Sequence, residues 1–219
     1  KRGRNEQEAV FGEDITESEI HVGPVRLSAA MARLKKVRTF YFLIVGIGVL
    51  GFALVAVPAT FNLLMKDVYG YGAFQRGWIM SITWSVSVIA IPIAGRYGER
   101  LFRRNPPSAL KLMGASILMY GFFLTVGLRF QQAAILIAFF AIGNACQGMA
   151  FTQLGPTISA VVPYQMRAQA FSMVGVYIFL MGGFFGGLLT GAFSDAFGQR
   201  TALTVVIPVA TLIGGLMII

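Results

Sequence analysis

The chain has 219 residues, 56 % of them hydrophobic and only 12 % charged, with a formal charge of +9 and a mean hydropathy of +0.72. A soluble domain is nearer a quarter charged, so this deficit points to lipid rather than a large aqueous core. One cysteine (Cys146) and one histidine (His21) leave no disulfide framework, no Cys/His metal set and no material for a catalytic triad, so neither metal nor cofactor is expected.

Residues 1–22, "KRGRNEQEAVFGEDITESEIHV", hold six of the nine carboxylates, lack an apolar period and read as a flexible loop. Pro24 opens "PVRLSAAMARLKKVR", where Leu27, Met31, Leu34 and Val37 recur at helical spacing and Arg26, Arg33, Lys36 and Arg38 fall mostly off that stripe. This predicts a short basic amphipathic helix near 24–38, lying on the membrane surface or serving as a solvated connector. Residues 1–39 thus form a first segment, and 40–219 a membrane domain.

Six apolar runs follow, near 40–65, 78–95, 110–128, 133–159, 168–193 and 201–219. A spanning helix needs about 20 apolar residues, fewer where flanking side chains snorkel. No Asp, Glu, Lys or Arg lies in the interior of any run. Backbone groups in lipid must be satisfied within the segment, and the runs do not alternate as barrel strands do. The expected fold is therefore an all-α membrane protein with six transmembrane helices. The first residue is Lys and the last run, "TLIGGLMII", stops inside an apolar segment, so the chain reads as a piece of something longer.

The basic residues set orientation. Eight Lys/Arg precede the first span; Arg96, Arg100, Arg103, Arg104 and Lys111 follow the second, and Arg167 follows the fourth. That makes fourteen on one side, against Lys66, Arg76, Arg129 and Arg200 on the other. The excess places residues 1–39, the 96–111 loop and Arg167 in the cytoplasm, and the cell membrane is the expected location. The positive charge is a topology signal, and nucleic acid is not an expected partner; membrane lipid is.

The charged stretch "AGRYGERLFRRNP", Ala94–Pro106, has an echo. Gly95, Glu99 and Arg104 share their spacing with Gly191, Asp195 and Arg200 in "GAFSDAFGQR", 96 residues on. Ser108-Ala109-Leu110 and Thr201-Ala202-Leu203 rhyme after them. Three spans separate the copies, which puts them on opposite faces of the membrane. Two inverted three-helix repeats are the expected architecture.

With these residues in view the chain resembles the major facilitator superfamily of secondary transporters, whose members carry twelve spans in two halves joined by a long cytoplasmic loop. It is similar to that loop followed by the second half, helices 7 to 12, over residues 24–219. "GRYGERLFRR" resembles the family's loop motif, roughly G-x-x-x-D-R-x-G-R-R, with Gly95, Glu99, Arg100, Arg103 and Arg104 matching the glycine, the acid and the basic cluster. Glu99 stands for the usual Asp, and Phe102 replaces the second glycine. "MRAQAFSMVGVYIFLMGGFFGGLLTGAFSDAFG" resembles the family's helix 11. The opening "KRGR" resembles part of a string after helix 6 in Spinster-like members, proposed to move lysolipids or sphingoid lipids.

The resemblance implies a small-molecule substrate, alternating access, and an N-terminal six-helix half as partner. It also implies a conformational latch: Glu99 engages the other half, and Arg167 is offered to the corresponding motif there. Physically, Gly95 at a helix end would let the chain turn. Glu99 would suit a helix N-terminus, and the arginines would pair with it or with headgroups. A plain positive-inside loop with a turn glycine is the alternative.

Gly183, Gly187 and Gly191 recur every fourth residue in the fifth run, a period that permits close helix packing and is compatible with a sliding surface. Asn144 and Gln147 share one face of the fourth run with Phe140 and Phe151. Amides in lipid are expensive unless paired or wet, so they face substrate or water, or bond between helices. Asn62, near Pro58, and Trp84 are further substrate-cavity candidates. Pro58 and Pro156 are expected to bend their helices. No ionisable side chain is expected inside a span, so proton coupling would need a carboxylate elsewhere; otherwise transport is facilitated diffusion. A membrane-embedded enzyme lacks its cluster of reactive side chains. A transporter-like receptor or scaffold without transport remains the competing function.

Overall fold

The computed structural model describes residues 38–104, 107–162 and 167–218, which are helical apart from short connections, with no strand among them. The amphipathic helix expected at 24–38 and the segment before it lie essentially outside the described residues. Helix α1 runs Arg38–Asp67, α2 Ala73–Arg104 and α3 Pro107–Gly127. The fourth span is α4, Ala133–Thr152, and α5, Leu154–Val161. The fifth is α6, Arg167–Phe179, a π-helical turn at Leu180–Phe185, and α7, Gly186–Phe197. Helix α8, Gln199–Ile218, is the sixth. Six stretches are long and apolar enough to cross a membrane, as expected.

Each irregularity has a local cause. Pro156 has no N–H to give the Thr152 carbonyl and its ring crowds that turn, so the fourth span breaks at Gln153, whose own N–H bonds the Ala150 carbonyl at 3.2 Å. Pro58 and Pro208 sit within helices that continue past them. The π turn closes where the Gly186 N–H reaches back five residues to Met181. Gly70 (φ +69°) ends the first span in the left-handed region, which returns the N–H groups of Gly70 and Tyr71 to the Lys66 and Met65 carbonyls, both at 3.0 Å. Gly198 (φ +82°) is the single residue between the fifth and sixth spans.

The spans form an exchanged pair of triplets. The second span packs along the fourth and the fifth along the first; the third packs on the fourth, the sixth on the first, and the third and sixth on each other. Exchanging spans one to three for four to six leaves these pairings unchanged, the pattern of two three-helix repeats. Lipid offers helices no hydrophobic reason to associate, so close packing must hold them. One core cluster centres on Phe61 and Phe140, stacked at 3.8 Å, with Leu64, Met65, Leu136 and Ile207 around them. A second joins Ile47, Leu50, Met113, Ile117, Ile158 and Ile178. Within their most apolar 18-residue stretch, 22 % of the residues of the second and fifth spans are buried, against 44–56 % in the other four. The middle helix of each triplet therefore presents an open face.

Candidate functional site

The stretch that carries the family motif is helix, not loop. Helix α2 continues through Arg104, so Gly95 lies well inside it and turns nothing; this corrects the expected turn glycine. No neighbour comes within 4 Å of where a Gly95 Cβ would stand. Glu99, one turn on, and Arg100 are exposed, and Glu99 has an interaction partner. Neither Gly95 nor Glu99 stands at a helix N-terminus, as the expected stabilisation of the carboxylate required. The side chains of Arg103 and Arg104 lie outside the described residues. The close contact in this stretch falls instead on Gly98, where a Cβ would collide with the Gln153 amide at the break in the fourth span. The repeat partners Gly191 and Asp195 likewise lie in open surroundings within α7.

Arg167 is engaged within this domain. Its Nη2 donates to the Ser159 carbonyl at 2.8 Å and its Nε to the Val162 carbonyl at 3.4 Å, satisfying the end of α5. Arg200 does the same at the other end of the bundle, its Nε donating to the Leu128 carbonyl at 3.0 Å and its Nη2 to that of Phe130.

The glycines of the fifth span divide differently from their spacing. Gly187 and Gly191 have nothing within 4 Å of a Cβ position, and Gly183 has only a Val55 methyl at 3.7 Å. That stripe makes no close packing inside the domain, contrary to expectation. The adjacent row does. A Cβ on Gly182 would strike the Gly51 backbone, one on Gly51 the Ile178 carbonyl, and one on Gly186 would lie 2.9 Å from Phe52 Cδ2. Sequence spacing missed this Gly51–Gly182 crossing because the two glycine rows share one four-residue period, and only packing against α1 selects between them. The repeat was the available signal: Gly51 and Gly148 stand 97 residues apart, and Gly148 meets Ile91 and Ser87 of the second span at 3.1 and 3.5 Å.

The four cavity candidates do not converge on one pocket. Asn144 is fully buried and Gln147 is 1 % exposed, so they face the interior of the six-helix body rather than an open cavity. Gln147 borders a narrow gap with Leu50, Ala53, Ile117 and Tyr120 that admits no water-sized sphere. None of the four polar atoms of the two amides has a hydrogen-bond partner, which leaves interhelical bonding unrealised too. Most hydroxyls in the spans, by contrast, bond their own helix: Thr60 to Ala56, Thr190 to Gly186 and Thr211 to Ile207, at 2.7–3.0 Å. Ser87 and Thr157 join the amides as buried groups without a partner. Trp84 is half-buried on the second span. Asn62 is taken by Arg76, whose Nη1 donates to its Oδ1. Arg76 was expected in a loop; it lies in the first turn of α2, partly buried inside a spanning stretch.

Among the described residues no group of His, Cys, Asp and Glu could hold a metal. The sequence pattern that defines the Major Facilitator Superfamily matches residues 43–219. Neither the curated proteins nor the solved structures contain a match to the chain. The matched span contains all six membrane-crossing stretches and leaves out the opening residues behind the Spinster-like resemblance. An all-helical body of six spans in two exchanged triplets, matched over most of its length, is a multi-pass integral membrane protein of the transporter class: the chain belongs to the Major Facilitator Superfamily.

Proposed function

We propose that the chain moves a small organic solute or lipid-like molecule across the membrane by alternating access, with a second six-helix half as partner. The observation that carries this is the pair of open faces. The second and fifth spans, symmetry mates in the repeat, are the least enclosed of the six, and small or polar residues (Ser81, Ser85 and Gly95; Ser172, Gly187 and Gly191) stand exposed or unopposed on them. Small residues set among exposed apolar side chains such as Ile82, Val88, Phe184 and Leu188 suit a helix partner in close contact. Glu99 and Arg100, with Arg103 and Arg104, form the latch side of that contact. Asn144, Gln147 and Trp84 serve the solute path, the two amides gaining their partners when the spans shift. The excess of arginine and lysine supports a cytoplasmic side for residues 1–39 and the 96–111 stretch, with the cell membrane as the site of the protein.

Solute-dependent flux into proteoliposomes carrying the full-length protein tests this. Glu99→Gln is expected to slow flux while leaving expression intact. Full-length protein that binds a partner but moves no solute class would replace transport by the receptor or scaffold function.

A further inference from the structure

Arg76 is a guanidinium with most of its hydrogen-bonding capacity unused. It stands one turn into α2, at the end of the bundle that carries the 68–72 and 128–132 turns. Its side chain meets a single acceptor among the described residues, Asn62 Oδ1 on α1. That bond uses Nη1; the Nε is enclosed and has no acceptor. The arginine at the start of the fifth span behaves otherwise. Arg167, also in the first turn of its triplet's middle span, spends its guanidinium on two backbone carbonyls of the preceding span. Among the described residues Arg76 has a neutral amide and no carboxylate.

The surroundings are open on one side. Asn62 is half-buried, and Ala59, Leu63 and Lys66 beside it are exposed, on the side of α1 opposite its core residues Phe61, Leu64 and Met65. Lys66 follows Asn62 by one helical turn. The carboxylate nearest in sequence, Asp67, accepts from Gln199 Nε2 at 2.5 Å. The first and second spans share few contacts beyond this bridge. A partly desolvated cation held by one neutral amide is unfavourable, and an oxyanion bound at the Nη2 end, on the open side, would complete it with charge-assisted bonds. Lys66 would add a second positive charge.

We propose that Arg76, oriented by Asn62 and supported by Lys66, is an oxyanion-binding site at the seam between the first and second spans. Its ligand is a carboxylate or phosphate group, carried by the transported solute or by a lipid headgroup. The solute form rests on the transport proposed above; the site itself does not.

Thermal unfolding of the full-length protein in neutral detergent, titrated with succinate or inorganic phosphate, tests it, with dimethyl succinate as the neutral control. Vesicles of phosphatidylcholine with and without phosphatidylglycerol supply the headgroup arm. Stabilisation by the soluble anions but not the ester identifies a solute site, and stabilisation by phosphatidylglycerol alone identifies the headgroup. In either case Arg76→Gln is expected to weaken the response about 10- to 100-fold, from the loss of charge-assisted bonds. Arg76→Lys should weaken it less, and Asn62→Ala several-fold while keeping the charge. An equal response in Arg76→Gln, or stabilisation by no anion in either arm, overturns the site. Flux in the same vesicles separates the two proposals: anion binding without flux defeats transport and leaves the site. Flux of a neutral solute undisturbed by Arg76→Gln, with no anion response, does the reverse.

Discussion

At the scale of single residues, position around the helix decides what a glycine does. Gly51 and Gly182 touch backbone to backbone, whereas Gly187 faces open space. Gly51→Val is expected to cost about 1–3 kcal/mol by forcing α1 and the π turn apart. Gly187→Ala should stay within about 0.5 kcal/mol. Thermal unfolding of both variants in detergent checks the contrast, and equal losses would remove the distinction. The buried amides give the opposite sign. Asn144 and Gln147 are enclosed with no partner for any of their four polar atoms, and an unsatisfied buried group costs about 1–3 kcal/mol. Asn144→Leu and Gln147→Met should therefore raise stability, by about 1 kcal/mol each after repacking. If the amides serve the solute path, flux falls in the same variants; destabilisation would mean that the native amides are satisfied in the membrane.

Among elements, the fourth span joins two rigid pieces at a defined break. Pro156 leaves the Thr152 carbonyl without its helical donor, while Thr152 Oγ1 donates to the Met149 carbonyl at 2.7 Å and Gln153 Nε2 donates to Thr152 Oγ1 at 2.8 Å. Gly98 leaves room for that Gln153 amide. Pro156→Ala restores a donor and should close the break. The expected readout is slower amide hydrogen exchange across 152–157, with no change in the distant α8. Unaltered exchange would locate the cause of the break in the Gly98–Gln153 contact. Proline positions were legible in the sequence, but which of them breaks a helix was not: Pro156 does, whereas Pro58 and Pro208 sit in helices that continue through them. A proline's effect depends on whether neighbouring spans hold the turn together.

For the whole molecule, the repeat is the organising fact. The ends of the second and fifth spans carry matching Gly–acid–Arg spacings, and the triplets exchange neighbours symmetrically. Inverted topology then requires Arg103→Cys and Arg200→Cys to react with an impermeant thiol reagent from opposite sides of the membrane. Cys146 is buried and should stay silent. Labelling of both positions from one side contradicts the inversion. The arginines at the ends also differ in employment, for Arg167 and Arg200 satisfy carbonyls at helix ends while Arg76 meets a side-chain amide.

Hydropathy and charge were enough to determine six spans, their helical nature and the expected inversion, because lipid leaves a backbone no other solution and apolar runs need no tertiary information to be recognised. The motif glycine, acid and arginines were equally visible. Their setting was not: α2 carries its charges on a helix extended beyond the apolar run, so Gly95 became a helix-interior residue. Tertiary structure alone decided which glycines touch, since two rows share the same period and only one of them faces α1. It alone enclosed Asn144 and Gln147, and it alone joined Arg76 to Asn62. Residues 14 positions apart on different helices have no sequence period to link them; only the folding of α2 back along α1 brings them together.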